Sequence, residues 1–215
     1  MHPEPSLIAK LAMLGALVPL VAFGVRFHAK QKAGGLGGRI SRAKAYWLPF
    51  AIWFWFVVCP AVGFDAVVHE GARRALMAFG VFMWVRGAAE MVMLYVTKNW
   101  RPPMGITHDA MCALLILGLC AQGVDQIAAA GLSSINELDV WAYGLCAVAL
   151  VSLAVEMHHA HSFFVAARGA TTGDDGIWFA DDEEERFRKI NRTTFVWNII
   201  LSLAVGAFVV RYVLA

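Results

Sequence analysis

Apolar residues in this chain come in unbroken blocks, and that pattern limits the folds open to it more than any other feature. One block reads VWAYGLCAVALVSLAV, residues 140–155, without a single charged side chain. About 20 such residues in a helix match the ~30 Å hydrocarbon core of a bilayer. Within that core every backbone amide and carbonyl must be satisfied inside its own segment or by a partner, which leaves helices and closed barrels. The expected fold is therefore all-α, a polytopic transmembrane helix bundle. Charged residues are only 16% of the 215 and apolar residues 60%, against about 25% charged in a soluble domain.

Six spans are expected, near 7–27, 45–66, 75–97, 109–130, 140–166 and 194–214, in a single integral membrane domain. Pro19 and Pro60 fall inside the first two. Tyr46, Trp47, Trp100, Trp141, Trp197 and Tyr212 stand near span ends, where amphipathic rings anchor at the headgroups. No cleaved signal peptide is expected, because the first block lacks a basic lead and a small-residue cleavage site.

Basic residues set the expected orientation. Arg26, Lys30, Lys32, Arg39, Arg42 and Lys44 follow the first span, and Lys98 and Arg101 follow the third. Arg168, Arg186, Arg188, Lys189 and Arg192 follow the fifth. Lys10, Arg73, Arg74 and Arg211 fall on the opposite side. The positive-inside rule then makes the three basic loops cytoplasmic and puts both termini outside. The expected location is a bacterial inner (plasma) membrane.

The loop over 168–193 is the largest polar piece. Its sequence DDEEERFRKINR predicts a short charged helix capped by Asp181, with Glu184–Arg188 and Glu185–Lys189 paired at i,i+4. In the first basic loop, GGLGGR lacks the residues of a phosphate-binding loop and reads as a flexible segment near anionic headgroups. The cysteines, Cys59, Cys112, Cys120 and Cys146, all sit in apolar blocks without CxxC spacing and are expected to be small buried hydrophobes.

Ionisable groups inside spans cost about 2.5–3.5 kcal/mol each at mid-bilayer, so they carry most of the functional information. Arg86 and Glu90 are four apart in the third span. The stretch EMHHAHSFF at the end of the fifth places Glu156 beside His158, His159 and His161. The fourth span opens with His108 and Asp109. The expected topology brings Glu90, His108, Asp109, Glu156 and the three histidines to one depth near the cytoplasmic face, and His28 could join them from the first loop.

Glu156 and His159 have the Glu-x-x-His spacing of carboxylate-bridged dimetal sites in helix bundles. The second half of that motif is missing, because Met93 stands three residues after Glu90. His158 and His161 are also three apart, on a different face from Glu156. The expected metal ligands are therefore Glu156, His159, His158 and His161, joined by Glu90, His108 and Asp109. The expected cofactor is a transition metal, iron or copper, or a haem. Glu-Met recurs at 90–91 and 156–157, as a duplicated helical hairpin would give.

The leading expectation is a membrane-embedded metal- or haem-binding oxidoreductase, or the cofactor-bearing subunit of one. Expected partners are the lipid bilayer and either other membrane subunits or a protein or quinol electron donor. No nucleic-acid partner is expected. Two alternatives stand beside it: a proton- or cation-coupled transporter or channel titrating at Glu90 and Glu156, and a structural or assembly subunit of an energy-transducing complex. On the opposite side, Asp65, His69, Glu70, Arg73 and Arg74 read as a solvated interfacial network, and so do Gln122, Asp125 and Gln126.

Overall fold

The computed structural model describes residues 66–92, 105–169, 171–173, 176–178 and 180–214. The first two expected spans, with Cys59, His28 and Asp65, lie outside the described residues apart from Ala66. The described part is all-α apart from one small hairpin. Its helices are α1 (Glu70–Val92), α2 (Gly105–Ala130), α3 (Glu137–Ala167) and α4 (Asp181–Leu214). A 3-10 turn, Leu132–Ser134, joins α2 to α3. Strands β1 (Thr171–Gly173) and β2 (Gly176–Trp178) pair antiparallel between α3 and α4.

Helices α2, α3 and α4 are long and apolar enough to cross a membrane. The third expected span corresponds to α1, which starts five residues earlier than its apolar block. It is not among those three helices, and its sequence carries Glu70, Arg73, Arg74, Arg86 and Glu90. The expected short charged helix is not separate from the last span. Residues Asp181–Leu214 form one 34-residue helix, with Asp181 its first residue. The predicted pairs do form: Arg188 reaches Glu184 at 2.7 Å and Lys189 reaches Glu185 at 3.0 Å.

The helices pack in chain order, α1 on α2, α2 on α3 and α3 on α4, and α1 also touches α3. The core holds Leu76, Phe79, Ile116, Leu145, Leu153, Val205 and Phe208. Helix α2 is the least covered of the three spans, with 17% of its apolar window buried against 44% for α3. Met111, Leu114, Leu115 and Leu117 accordingly face outward from the described bundle.

Three contacts fix the registers. Arg211 clasps Glu137 with two hydrogen bonds, Nε to Oε1 at 2.7 Å and Nη2 to Oε2, tying the end of α4 to the start of α3. At the other end Phe187 of α4 packs on His159 and Phe163 of α3, with ring centroids 5.1 and 5.9 Å apart. Both contacts give the same antiparallel register. Between α2 and α3, the thiols of Cys120 and Cys146 are hydrogen-bonded.

At 1.5 Å per residue, α3 and α4 are about 46 and 51 Å long, well beyond a ~30 Å core. The start of α3 and the end of α4 are level at the Glu137–Arg211 clasp.

Candidate functional site

Helix α3 sorts its polar residues by face. Taking 3.6 residues per turn, Ser152, Glu156, His159 and Phe163 fall within about 60° of arc. His159 and Phe163 touch Phe187, so this stripe faces α4. Glu156 is 8% exposed, His159 3% and Ser152 4%. His158 and His161 point the other way and are exposed. The separation of His158 and His161 from Glu156 is the one the sequence spacing implied.

Helix α2 contributes Asp109, which is fully buried, while its neighbour His108 is exposed. Asp109 shares its face with Cys120, and the Cys120–Cys146 contact puts it level with Met157. Asp109, Glu156 and His159 therefore occupy one buried level, on two adjacent helices. By helical angle Glu156 lies between the α2-facing and α4-facing sides of α3. Glu90 and Arg86 belong to α1, and their side chains lie outside the described residues. Among the described residues, no three His, Cys, Asp or Glu side chains are grouped so as to hold a metal ion.

A second polar centre sits at the opposite end, and the sequence reading missed its main members. Asn136 caps α3: its Oδ1 accepts the Asp139 N–H at 2.7 Å, and Asp139 Oδ2 accepts the Asn136 N–H at 2.9 Å. This reciprocal box is a strong helix start. Here it also reaches across the fold. Asp139 Oδ1 accepts the backbone N–H of His69 at 3.0 Å, and Asn136 Nδ2 donates to the Ala66 carbonyl at 2.9 Å. The box thus holds the segment leading into α1, some 70 residues away in sequence.

His69 is buried, not solvated as expected. Its ring lies 3.4 Å from two hydroxyls, Tyr143 at Nδ1 and Ser134 at Nε2. Ser134 already donates its proton to the Gly131 carbonyl at 2.7 Å, so it can only accept from His69. That puts a proton on Nε2, while Nδ1 meets the Tyr143 hydroxyl. Gly131 makes the turn that presents Ser134, at a φ of 82° that suits glycine. The signal for this centre was present as N-x-x-D at Asn136–Asp139, but its partners lie far away in the chain. Glu70 and Arg74 pair at the exposed surface and Asp125 is exposed, as an interfacial setting predicts.

Comparison with protein-family models, with curated proteins and with solved structures found no match. The chemistry of these two centres therefore rests on this chain's own residues.

Proposed function

We propose that this is an integral membrane protein that conducts or couples a proton or small cation, with Glu156 as its central ionisable group. The supporting observation is the burial of Asp109 on α2 and of Glu156 and His159 at the same level of α3. Buried carboxylates are costly beside lipid and commonly mark ion or proton pathways. An imidazole close by, one turn along the same face, can take up and release protons near neutral pH. In this reading the site opens toward the cytoplasmic side, where the basic loops lie. The test is flux in proteoliposomes that carry a pH-sensitive dye under an imposed potential. Wild-type protein should show dissipation that Glu156→Gln reduces to near background. Unchanged flux in the variant would remove Glu156 from the pathway.

A second reading keeps the oxidoreductase expectation. His158 and His161 are exposed on one face of α3, three residues apart, where a metal, a haem or a partner subunit could reach both. This reading expects iron, copper or a haem band to co-purify in stoichiometric amount, and to be lost in the doubly substituted His158→Ala, His161→Ala protein. A colourless, metal-free wild-type preparation would eliminate it.

A further inference from the structure

Four hydroxyls of α3 and α4 bond back to the preceding turn. Ser162 donates to the His158 carbonyl at 2.8 Å, Thr194 to Ile190 at 3.1 Å and Ser202 to Asn198 at 2.7 Å. Thr193 likewise donates to Lys189 at 3.2 Å. Bonding back to the preceding turn is how a serine or threonine is satisfied where no water reaches it. Ser152 is buried to 4% exposure, yet its Oγ makes no hydrogen bond within the described protein. A buried hydroxyl left this way costs about 1–3 kcal/mol unless something else engages it.

The surroundings of Ser152 indicate what that could be. It lies on the face of α3 that meets α4, and the register set by the Glu137–Arg211 and Phe187 contacts places it opposite Val196. Thr194 and Asn198 flank that position, each about 3 Å away along the axis at 1.5 Å per residue. Both are buried, at 3% and 9% exposure. Glu156 is one turn along α3 from Ser152, on the same face. Thr194 has spent its proton on Ile190, so its oxygen can only accept. Ser152, Thr194, Asn198 and Glu156 therefore bring together two hydroxyl oxygens, a carboxamide and a carboxylate, and the His159 imidazole stands one turn beyond Glu156 on the same face.

We propose that Ser152, Glu156, Thr194 and Asn198 form a binding site for an alkali-metal cation, sodium in the first instance. Hard oxygen donors suit hard cations rather than transition metals. A single carboxylate balances a single positive charge, so the occupied site is neutral within the membrane. The inference deepens the ion-coupling reading above by naming the ion, and it rests on that reading's choice of Glu156.

The experiment is thermal unfolding of the purified full chain in detergent, in sodium chloride against choline chloride at equal ionic strength. A ligand that binds only the folded state raises its midpoint by mass action. The expected result is a rise of roughly 5 °C in sodium for the wild type. Ser152→Ala should abolish the rise. Ser162→Ala, whose hydroxyl is already bonded to a carbonyl, should retain it. A wild-type midpoint indifferent to sodium overturns the proposal and leaves a buried water as the partner of Ser152. A Ser152→Ala protein that keeps the full rise overturns it as well. The two readings fail separately: Glu156-dependent proton flux without any sodium shift preserves ion coupling and removes the sodium site.

Discussion

Replacing Gly71 by alanine should destabilise the bundle by about 1–3 kcal/mol, the usual cost of forcing extra volume into a packed interface. Helices α1 and α2 approach so closely here that a Cβ on Gly71 would overlap the Leu119 carbonyl oxygen and the Gly123 amide nitrogen. Both obstacles are backbone atoms, so no rotamer change can relieve them. Gly123 is equally confined, because its own Cβ would overlap the Tyr143 hydroxyl. Small residues at such crossings let membrane helices gain dispersion contacts that lipid does not replace. The measurement is the unfolding midpoint read by a thiol-reactive dye, since Cys112 and Cys146 are buried and become accessible when the helices separate. Gly118 and Gly144 serve as controls. Nothing described lies within 4 Å of an added Cβ at either, so alanine there should be neutral or slightly stabilising through helix propensity. A Gly71→Ala midpoint equal to that of the controls would show that the crossing tolerates a methyl group.

Substitution of Asp139 by alanine should be at least as damaging, at about 3 kcal/mol in total. The side chain is fully buried and accepts from two backbone amides, those of His69 and Asn136. Each donor stranded without water costs about 1–3 kcal/mol, and loss of a helix cap costs about 1 kcal/mol. The loss has two consequences at once: α3 loses its capping box, and the lead-in to α1 loses an anchor. Asp139→Asn, which keeps one carbonyl oxygen in place, should recover part of the loss. Because Asn136 belongs to the same box, the Asn136→Ala, Asp139→Ala double variant should lose less than the sum of the singles. Strict additivity in that thermodynamic cycle, or a wild-type midpoint for Asp139→Ala, would show that the two ends are not coupled through this carboxylate.

These two sites mark the boundary between local and long-range information in the chain. Helix α3 was legible because an apolar block of membrane length has few other outcomes. That His158 and His161 lie on a different face from Glu156 was legible because a helix turns 100° per residue whatever surrounds it; which of those faces is buried was not. The Glu184–Arg188 and Glu185–Lys189 pairs follow from the same period.

Expectations that depended on neighbours fared differently. His69 read as a solvated interfacial residue, since its sequence neighbours Glu70, Arg73 and Arg74 are charged. Its spatial neighbours are Tyr143, Ser134 and Asp139, and they bury it. The charged helix after the hairpin read as separate from the last span, because composition changes sharply near residue 193. The backbone has no reason to break there: no proline or glycine interrupts 181–205, and Phe187 is held against α3.

By itself, then, the sequence determined that the described residues are mainly helical, with three helices long and apolar enough to cross a membrane, and which residues share a helix face. The period of a helix and the length of an apolar block are local quantities, set within a few residues. Tertiary structure alone decided which faces meet and at what level: Gly71 against Gly123, Asp139 beneath His69, and Ser152 opposite the span between Thr194 and Asn198. Those pairings join residues tens of positions apart. They depend on side-chain volumes and on the burial of polar groups summed over whole helices, which no local window contains.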